Sequence, residues 1–162
     1  MTTEPTQLTF RPMQAGEEAR ITDLVMKVFD EFVAPGFSEE GIAEFKKFVD
    51  TDALAKRHAA GNILLVAESD RNIIGIIAMR DNSHIALLFV KKTYQRKGIA
   101  RRLVQQGVAI CRQNNPALNI VTVNASPNAV TAYEHIGFRK VAEEQEKNGI
   151  RFIPMELSEN RL

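Results

Sequence analysis

Between Lys91 and Arg102 the chain carries six basic residues and no acidic one. The run sits where an apolar segment, Leu88-Phe89-Val90, gives way to Lys91-Lys92-Thr93-Tyr94 and then to Gln95-Arg96-Lys97-Gly98-Ile99-Ala100. A strand that ends in a basic turn and reopens as a helix is a ready anion site. The first-turn N–H groups have no intrahelical acceptor, and the positive end of the helix dipole lies beside them. Gly98 and Ala100 are small enough to let a phosphate approach the backbone. Arg96, Lys97 and Arg101 add charge. The expected ligand is a phosphate or pyrophosphate, set against the plainer reading of a solvated basic turn. Two common phosphate loops do not fit: there is no Gly-x-x-x-x-Gly-Lys-Ser/Thr, and no Gly-x-Gly-x-x-Gly followed by the acidic ribose partner.

Other reactive side chains are less directive. Cys111 follows Ile110 on the apolar face of a helical stretch, which makes it a buried structural thiol rather than a nucleophile. His58, His84 and His135 lack metal-ligand spacing, so no metal site is expected. Phe29, Phe32, Phe37, Phe45 and Phe48 form an aromatic group that reads first as core.

The elements that must position these residues follow from apolar periodicity. Leu8 to Pro12 alternates as a short first strand. Glu17 to Phe32 repeats Ile21, Leu24, Val25, Val28, Phe29 and Phe32 at helical spacing, with acids in its first turn. Pro35-Gly36 breaks it, and Ser38 is placed to cap a second helix bearing Ile42, Phe45, Phe48 and Val49. A shorter helical stretch spans Asp52 to Ala60. Ile63 to Ser69, Ile73 to Met79 and His84 to Val90 are apolar runs joined by short polar turns, as in an antiparallel meander. Their near-continuous apolarity predicts cover on both faces. Gly98 to Asn114 is an amphipathic helix, and Asn119 to Asn124 is a strand. Ser126-Pro127 opens a helix that runs to Ile136, with Gly137 at its left-handed end. Phe138 to Glu146 and Ile150 to Leu157 flank an Asn148-Gly149 turn as a closing hairpin. The order β-αα-βββ-α-β-α-ββ is a mixed α/β sheet, and residues 1–162 read as one domain.

Composition narrows the partners. Residues 1–60 carry 7 basic and 11 acidic residues, a net of −4. Residues 61–115 carry 9 and 3, a net of +6, and residues 116–162 carry 5 and 6, a net of −1. The formal net charge is +1. A concentrated patch in a near-neutral chain points to an anionic ligand rather than a bulk polyanion. No aromatic platform interleaves the patch, so nucleic-acid binding is disfavoured. Met1 to Gln7 is polar with no apolar leader, and no run approaches the ~18 residues of a membrane helix. One cysteine cannot form an intramolecular disulfide. A cytoplasmic protein without a membrane partner is expected.

Two motifs in order resemble the GNAT superfamily of acyl-CoA N-acyltransferases. Gln95-Arg96-Lys97-Gly98-Ile99-Ala100 is similar to its Gln/Arg-x-x-Gly-x-Gly/Ala pyrophosphate loop. Asn124, Asn128-Ala129, Tyr133 and Gly137-Phe138 resemble its Asn-x-x-Ala-x-x-x-Tyr-x-x-x-Gly-Phe region. The likeness covers Ile63 to Leu157, while the first 60 residues fit only by element order. Ala100 stands where Gly is also common, and Lys91-Lys92 replaces the usual Pro and acid, making the site more basic.

The resemblance implies a fold whose fourth and fifth strands splay apart, with acetyl-CoA as cosubstrate lying between them. The backbone at Phe89 and Val90 would pair with pantetheine, amides from Gln95 to Ala100 would hold the pyrophosphate, and Asn128 would contact the cofactor. Direct transfer to a primary amine would use Tyr133 as general acid and a backbone N–H near Val90 for the oxyanion. His84 is a candidate base by its intrinsic pKa, with Glu68, Glu31 or a water chain as alternatives. The break between the early helices would border the acceptor, with Phe32, Phe37 and Asn124 as contacts. The acceptor would be a small-molecule or peptide amine. A non-catalytic acyl-CoA sensor is the competing reading. The closing hairpin offers an edge for a homodimer. The acidic first third is consistent with attracting a cationic amine, though solvated helix faces explain it equally well.

Overall fold

The computed structural model describes residues 7–158. The polar segment before Gln7 and the outer ends of the expected domain lie outside the described residues. The chain runs β1 (Leu8–Pro12), α1 (Glu18–Phe32), α2 (Glu39–Val49), α3 (Thr51–Ala59), β2 (Ile63–Ser69), β3 (Asn72–Arg80), β4 (His84–Val90), α4 (Ile99–Asn114), β5 (Ile120–Ala125), α5 (Val130–Ile136), β6 (Arg139–Lys140), β7 (Gln145–Lys147) and β8 (Ile150–Ser158). The strands form one mixed sheet in the order β1-β2-β3-β4-β5-β8-β6, with β7 also on β8. Every pairing is antiparallel except β4 with β5. This is the expected α/β class.

The apolar runs behave as their composition demands. The seven residues from Ile73 to Met79 are all buried, because helices cover both faces. On one face Ile74, Ile77 and Met79 pack with Leu103, Val104 and Val108 of α4. On the other, Ile73, Ile76 and Ala78 pack with Ile21, Leu24 and Val25 of α1 and Leu54 of α3. Ser38 caps α2 by accepting from Gly41 N at 3.2 Å. Asp50 caps α3 by accepting from Ala53 N at 2.7 Å.

Two expectations change. The run from Phe138 to Glu146 is not one strand. Lys140 pairs with Met155 and Gln145 with Phe152, so four residues stand opposite two. One of those two is Pro154, which has no N–H to give the ladder. The strand therefore breaks into β6 and β7. Ser126 sits at the helix-start position, yet its hydroxyl makes no cap bond. The chain first makes a 3-10 turn, Pro127–Ala129, and α5 begins at Val130.

Arg11 on β1 anchors the start of α1. Its guanidinium donates two bonds to Glu17, at 2.8 and 2.7 Å, and reaches Glu68 on β2 at 2.6 Å. Glu17 also accepts from Gln14 N at 2.7 Å. These bonds, led by Arg11, hold the Glu17 carboxyl down at about 2 from its ordinary 4.5. A depressed carboxyl contributes stability above its unfolded pKa and loses it as the pH falls through the folded value, here about 3 kcal/mol in all. Urea unfolding of the wild type should therefore weaken steeply from about pH 5 toward pH 2. Glu17→Gln should be less stable at pH 7 and lack most of that slope; equal slopes would discount the network.

The tip of the β7–β8 turn touches the start of α2. A Cβ on Gly41 would run into the Gly149 carbonyl, and one on Gly149 into Ser38 Oγ. Gly149 has φ +81, while Gly61, at φ +80, has open space where a Cβ would go. Gly61→Ala should lose about 1 kcal/mol from strain alone. Gly149→Ala should lose a further 1–3 kcal/mol or so by forcing the two segments apart. Denaturant unfolding compares them, and equal losses would show that the contact carries no weight.

Candidate active site

The sheet nearly parts between β4 and β5. They pair only at His84 with Thr122 and Ile85 with Val123, then diverge, as the resemblance implied. A single hydrogen bond sets which backbone groups face the opening. Lys91 N donates to Ile74 O at 2.8 Å, so Val90 and Gly75 form a non-hydrogen-bonded antiparallel pair. By alternation, Phe89 exchanges its backbone bonds with Ile76, while Leu88 and Val90 turn theirs toward the gap. The expected backbone role of Phe89 therefore moves to Leu88. Phe89 instead presents its ring, 5.8 Å from that of Phe45. Val90 keeps its N–H toward the gap, but its carbonyl accepts from Gln95 Nε2 at 2.9 Å.

A second free backbone group lies further down β4. The register steps from Ala78–Leu87 to Met79–Ile85, leaving Ala86 without a partner across the ladder. Such a bulge turns an amide out of the ladder. Sequence reading placed the oxyanion donor near Val90 and missed this one. The sequence does not betray the extra residue, because His84 to Val90 is almost continuously apolar. In the fold, however, β4 alternates between buried and half-buried positions, whereas β3 is covered on both faces from Ile73 to Met79.

A cavity of about 1140 Å³ runs along this gap. One end is the head of α4. No side chain caps that helix, and its first helical bond is Arg102 N to Gly98 O at 3.1 Å. The preceding first-turn amides are thus open to a ligand. Two left-handed residues, Arg96 at φ +63 and Gly98 at φ +80, bend the loop. Gln95, Arg96, Gly98, Ala100 and Arg101 border the cavity. Ile99 also borders it, but its side chain is core, leaving its backbone as the useful part. Lys97 is not on the wall, and its ammonium lies 5.6 Å from the Tyr94 ring centre. Arg101 donates to the His135 carbonyl and so braces α4 against α5.

The far side of the gap carries Asn124, Asn128 and Tyr133, all on the cavity wall. Tyr133 is buried edge-on to Phe138, with ring centres 5.3 Å apart. Burial pushes its phenol well above the ordinary range. The hydroxyl is therefore a neutral donor at physiological pH.

The other end is aromatic. Phe32 and Phe37 reach the cavity with Phe45 and Phe48, and Phe29 stacks on Phe45 at 3.9 Å. The group read first as core is in fact both core and wall. His84 stands here, its Nδ1 2.7 Å from Thr122 Oγ1. Burial, then the charge of Arg80, lowers its pKa below the ordinary 6.5, leaving the ring neutral and able to accept a proton. The alternative bases are elsewhere: Glu68 is held by Arg11, and Glu31 accepts from Lys92 at 2.6 Å. Arg80, Lys147, Asn148 and Arg151 also line this end. No local pattern marks them, because they arrive from the β3–β4 and β7–β8 turns.

The acidic first third contributes little charge to the cavity wall. Of the acidic first third, Glu44 is the one acid on the wall among the described residues. Cys111 lies in the core, 3.7 Å from Met79 Sδ, and burial raises its thiol pKa. Among the described residues no group of three or more His, Cys, Asp or Glu is placed to hold a metal. No described helix is long and apolar enough to cross a membrane.

Solved structures share this architecture. A GCN5-related N-acetyltransferase from Rhodopseudomonas palustris superposes with a TM-score of 0.77 at 20% identity, covering 98% of each chain. The PaiA N-acetyltransferase of Thermoplasma acidophilum, solved with coenzyme A, gives 0.76 at 18% identity over 94% of this chain and 99% of that one. N-acetylglutamate synthase from Neisseria gonorrhoeae, solved with coenzyme A and N-acetyl-glutamate, gives 0.67 at 16% identity over 96% of this chain and 36% of that one. No curated protein sequence matches significantly. The sequence profile of the acetyltransferase (GNAT) domain matches residues 33–159, and with the splayed strands and open α4 amides on the same stretch, the chain belongs to the GNAT acetyltransferase family.

Proposed function

We propose that the protein is an N-acetyltransferase that moves the acetyl group of acetyl-CoA directly to a primary amine held in the same cavity. The observation that carries this reading is the gap between β4 and β5, which joins the uncapped head of α4 to the aromatic end holding His84. A CoA suits the donor side chemically. Its phosphates match the open amides with Arg96 and Arg101, and its amide-bearing arm matches the free backbone of Leu88 and Val90, as an added strand would. Asn128 stands beside that arm, and Asn124, Phe32 and Phe37 border the acceptor.

The thioester supplies an activated acyl carbon. An amine attacks it, the N–C bond forms, the C–S bond breaks, and a thiolate leaves. The protein's task is to move protons and hold charge. Neutral His84 takes the proton from the amine, with Thr122 fixing its ring. The free amide at Ala86, or those of Leu88 and Val90, faces the oxyanion. The buried Tyr133 hydroxyl gives its proton to the thiolate and regains one from solvent after release.

Coenzyme A should raise the melting temperature, and acetyl-CoA should release thiol in the presence of a suitable amine. Tyr133→Phe should lower kcat by about a hundredfold, with a much smaller change in the KM for acetyl-CoA. No stabilisation at millimolar CoA would overturn the reading, and stabilisation without turnover on any amine would leave a CoA-binding protein. The pH profile tests His84 separately. Its lowered pKa puts the acid limb of kcat/KM below pH 6.5, with rate lost as the pH falls through it. His84→Gln should slow the reaction and flatten that limb; an unaltered limb would remove His84 as the base.

A further inference from the structure

We infer that the acceptor is an α-amino carboxylate with a large apolar side chain, its carboxylate held by Arg80, its amine beside His84, and its side chain against Phe32, Phe45 and Phe48. This rests on the acetyltransferase reading and names the substrate class of the same cavity.

The charges at the acceptor end decide the sign of the ligand. Arg151 is committed: it grips Glu144 at 2.9 and 3.0 Å and reaches Gly36 O at 3.3 Å. Glu44 has Lys47 at 3.7 Å. Among the described residues Arg80 has only its neighbour Asp81, at 4.0 Å, and that carboxylate is 82% exposed. Lys147 has no ion-pair partner among the described residues. A polyamine or other cationic body would thus face Arg80 and Lys147 with one acid to offset them. An anionic group would meet a free guanidinium suited to bidentate capture.

A second base stands near Arg80. Arg57 lies with its guanidinium 3.8 Å over the Phe48 ring and donates to Phe48 O at 2.8 Å. The charge of Arg80 depresses both Arg57 and His84, after burial. Asp50, the acid that opposes this at Arg57, is already spent capping α3. Positive charge therefore accumulates here, opposed at Arg80 and His84 by the exposed Asp81.

Position separates this anion from the phosphates of CoA. Arg80 pairs directly with His84 at the start of β4, while the phosphate loop follows Val90 at its end. Six strand steps put about 20 Å between them. Geometry then narrows the class. Directly opposed side chains on an antiparallel pair leave the sheet on one face about 5 Å apart, a spacing that suits an amine and a carboxylate on the same carbon. Phe32, Phe45 and Phe48 on the same wall fit an apolar side chain.

The test compares phenylalanine, phenylalaninamide and phenethylamine as acceptors, by thiol release from acetyl-CoA, in the wild type and in Arg80→Gln. Phenylalanine should exceed both carboxylate-free analogues by about tenfold or more in kcat/KM, the worth of a charged hydrogen bond. Arg80→Gln should erase that preference, mainly through the KM for phenylalanine. A CoA-induced rise in melting temperature reports that the variant is folded. Equal or better use of phenylalaninamide or phenethylamine by the wild type overturns the inference and leaves the acetyltransferase reading standing. So does a preference that survives Arg80→Gln. Turnover of other amines but of no amino carboxylate overturns it likewise, whereas failure to bind CoA removes both readings.

Discussion

Among the described residues two parallel pairs, His84–Thr122 and Ile85–Val123, are the only ladder joining the halves of this sheet. A sheet broken this way leaves the backbone of Leu88 and Val90 without strand partners, and an unmet buried amide costs about 1–3 kcal/mol. The fold tolerates the gap because it opens into a cavity where solvent or a ligand meets those groups. The halves stay together through side chains instead. Leu103 and Val104 of α4 share one core with Val121, Val123 and Met155 across the break, and Arg101 ties α4 to α5. The cavity is thus a defect in hydrogen bonding held open by packing on one face.

That division explains what could be read in the residues. Runs of apolar, β-branched residues placed β2 and β4 with their observed bounds, Ile63–Ser69 and His84–Val90. The phosphate loop was legible because its logic is local: Gly98, small neighbours and adjacent bases all act within one turn. Which backbone faces the gap was not legible. It depends on the phase set by Lys91 N on Ile74 O, a contact between strands, so Phe89 and Leu88 exchange roles. The bulge at Ala86 stayed hidden for a related reason. The run from Ile85 to Val90 is apolar at every position, so its sequence shows no two-residue period for an insertion to disturb, even though the folded strand alternates in burial. Lys97 belongs to the motif by sequence, yet the left-handed turn at Arg96 and Gly98 leaves it beside Tyr94.

Net charge by segment was a poor guide to local field. Several acids of the first third are occupied by structure: Glu17 by Arg11 and Arg20, Asp23 by Lys27, Asp50 by the head of α3. Those charges act in caps and ion pairs, and Glu44 is the one acid of that third on the cavity wall among the described residues. Sequence arithmetic weighs every charge equally, whereas a ligand feels those nearby and unscreened.

The two ends of the cavity differ in how they are assembled. The donor end is one contiguous strand, loop and helix, so a few residues in a row suffice to build it. The acceptor end needs the break between α1 and α2, the β3–β4 hairpin, and the β7–β8 turn to meet in space. Gly41 against Gly149 and Arg151 on Gly36 are the contacts that close this ring. Substitutions in any of these surface turns can reshape the acceptor wall without touching the strand and helix that present the donor amides. Under the proposed function, acceptor choice rests on pairs of residues far apart in the chain, such as Phe48 with Arg80.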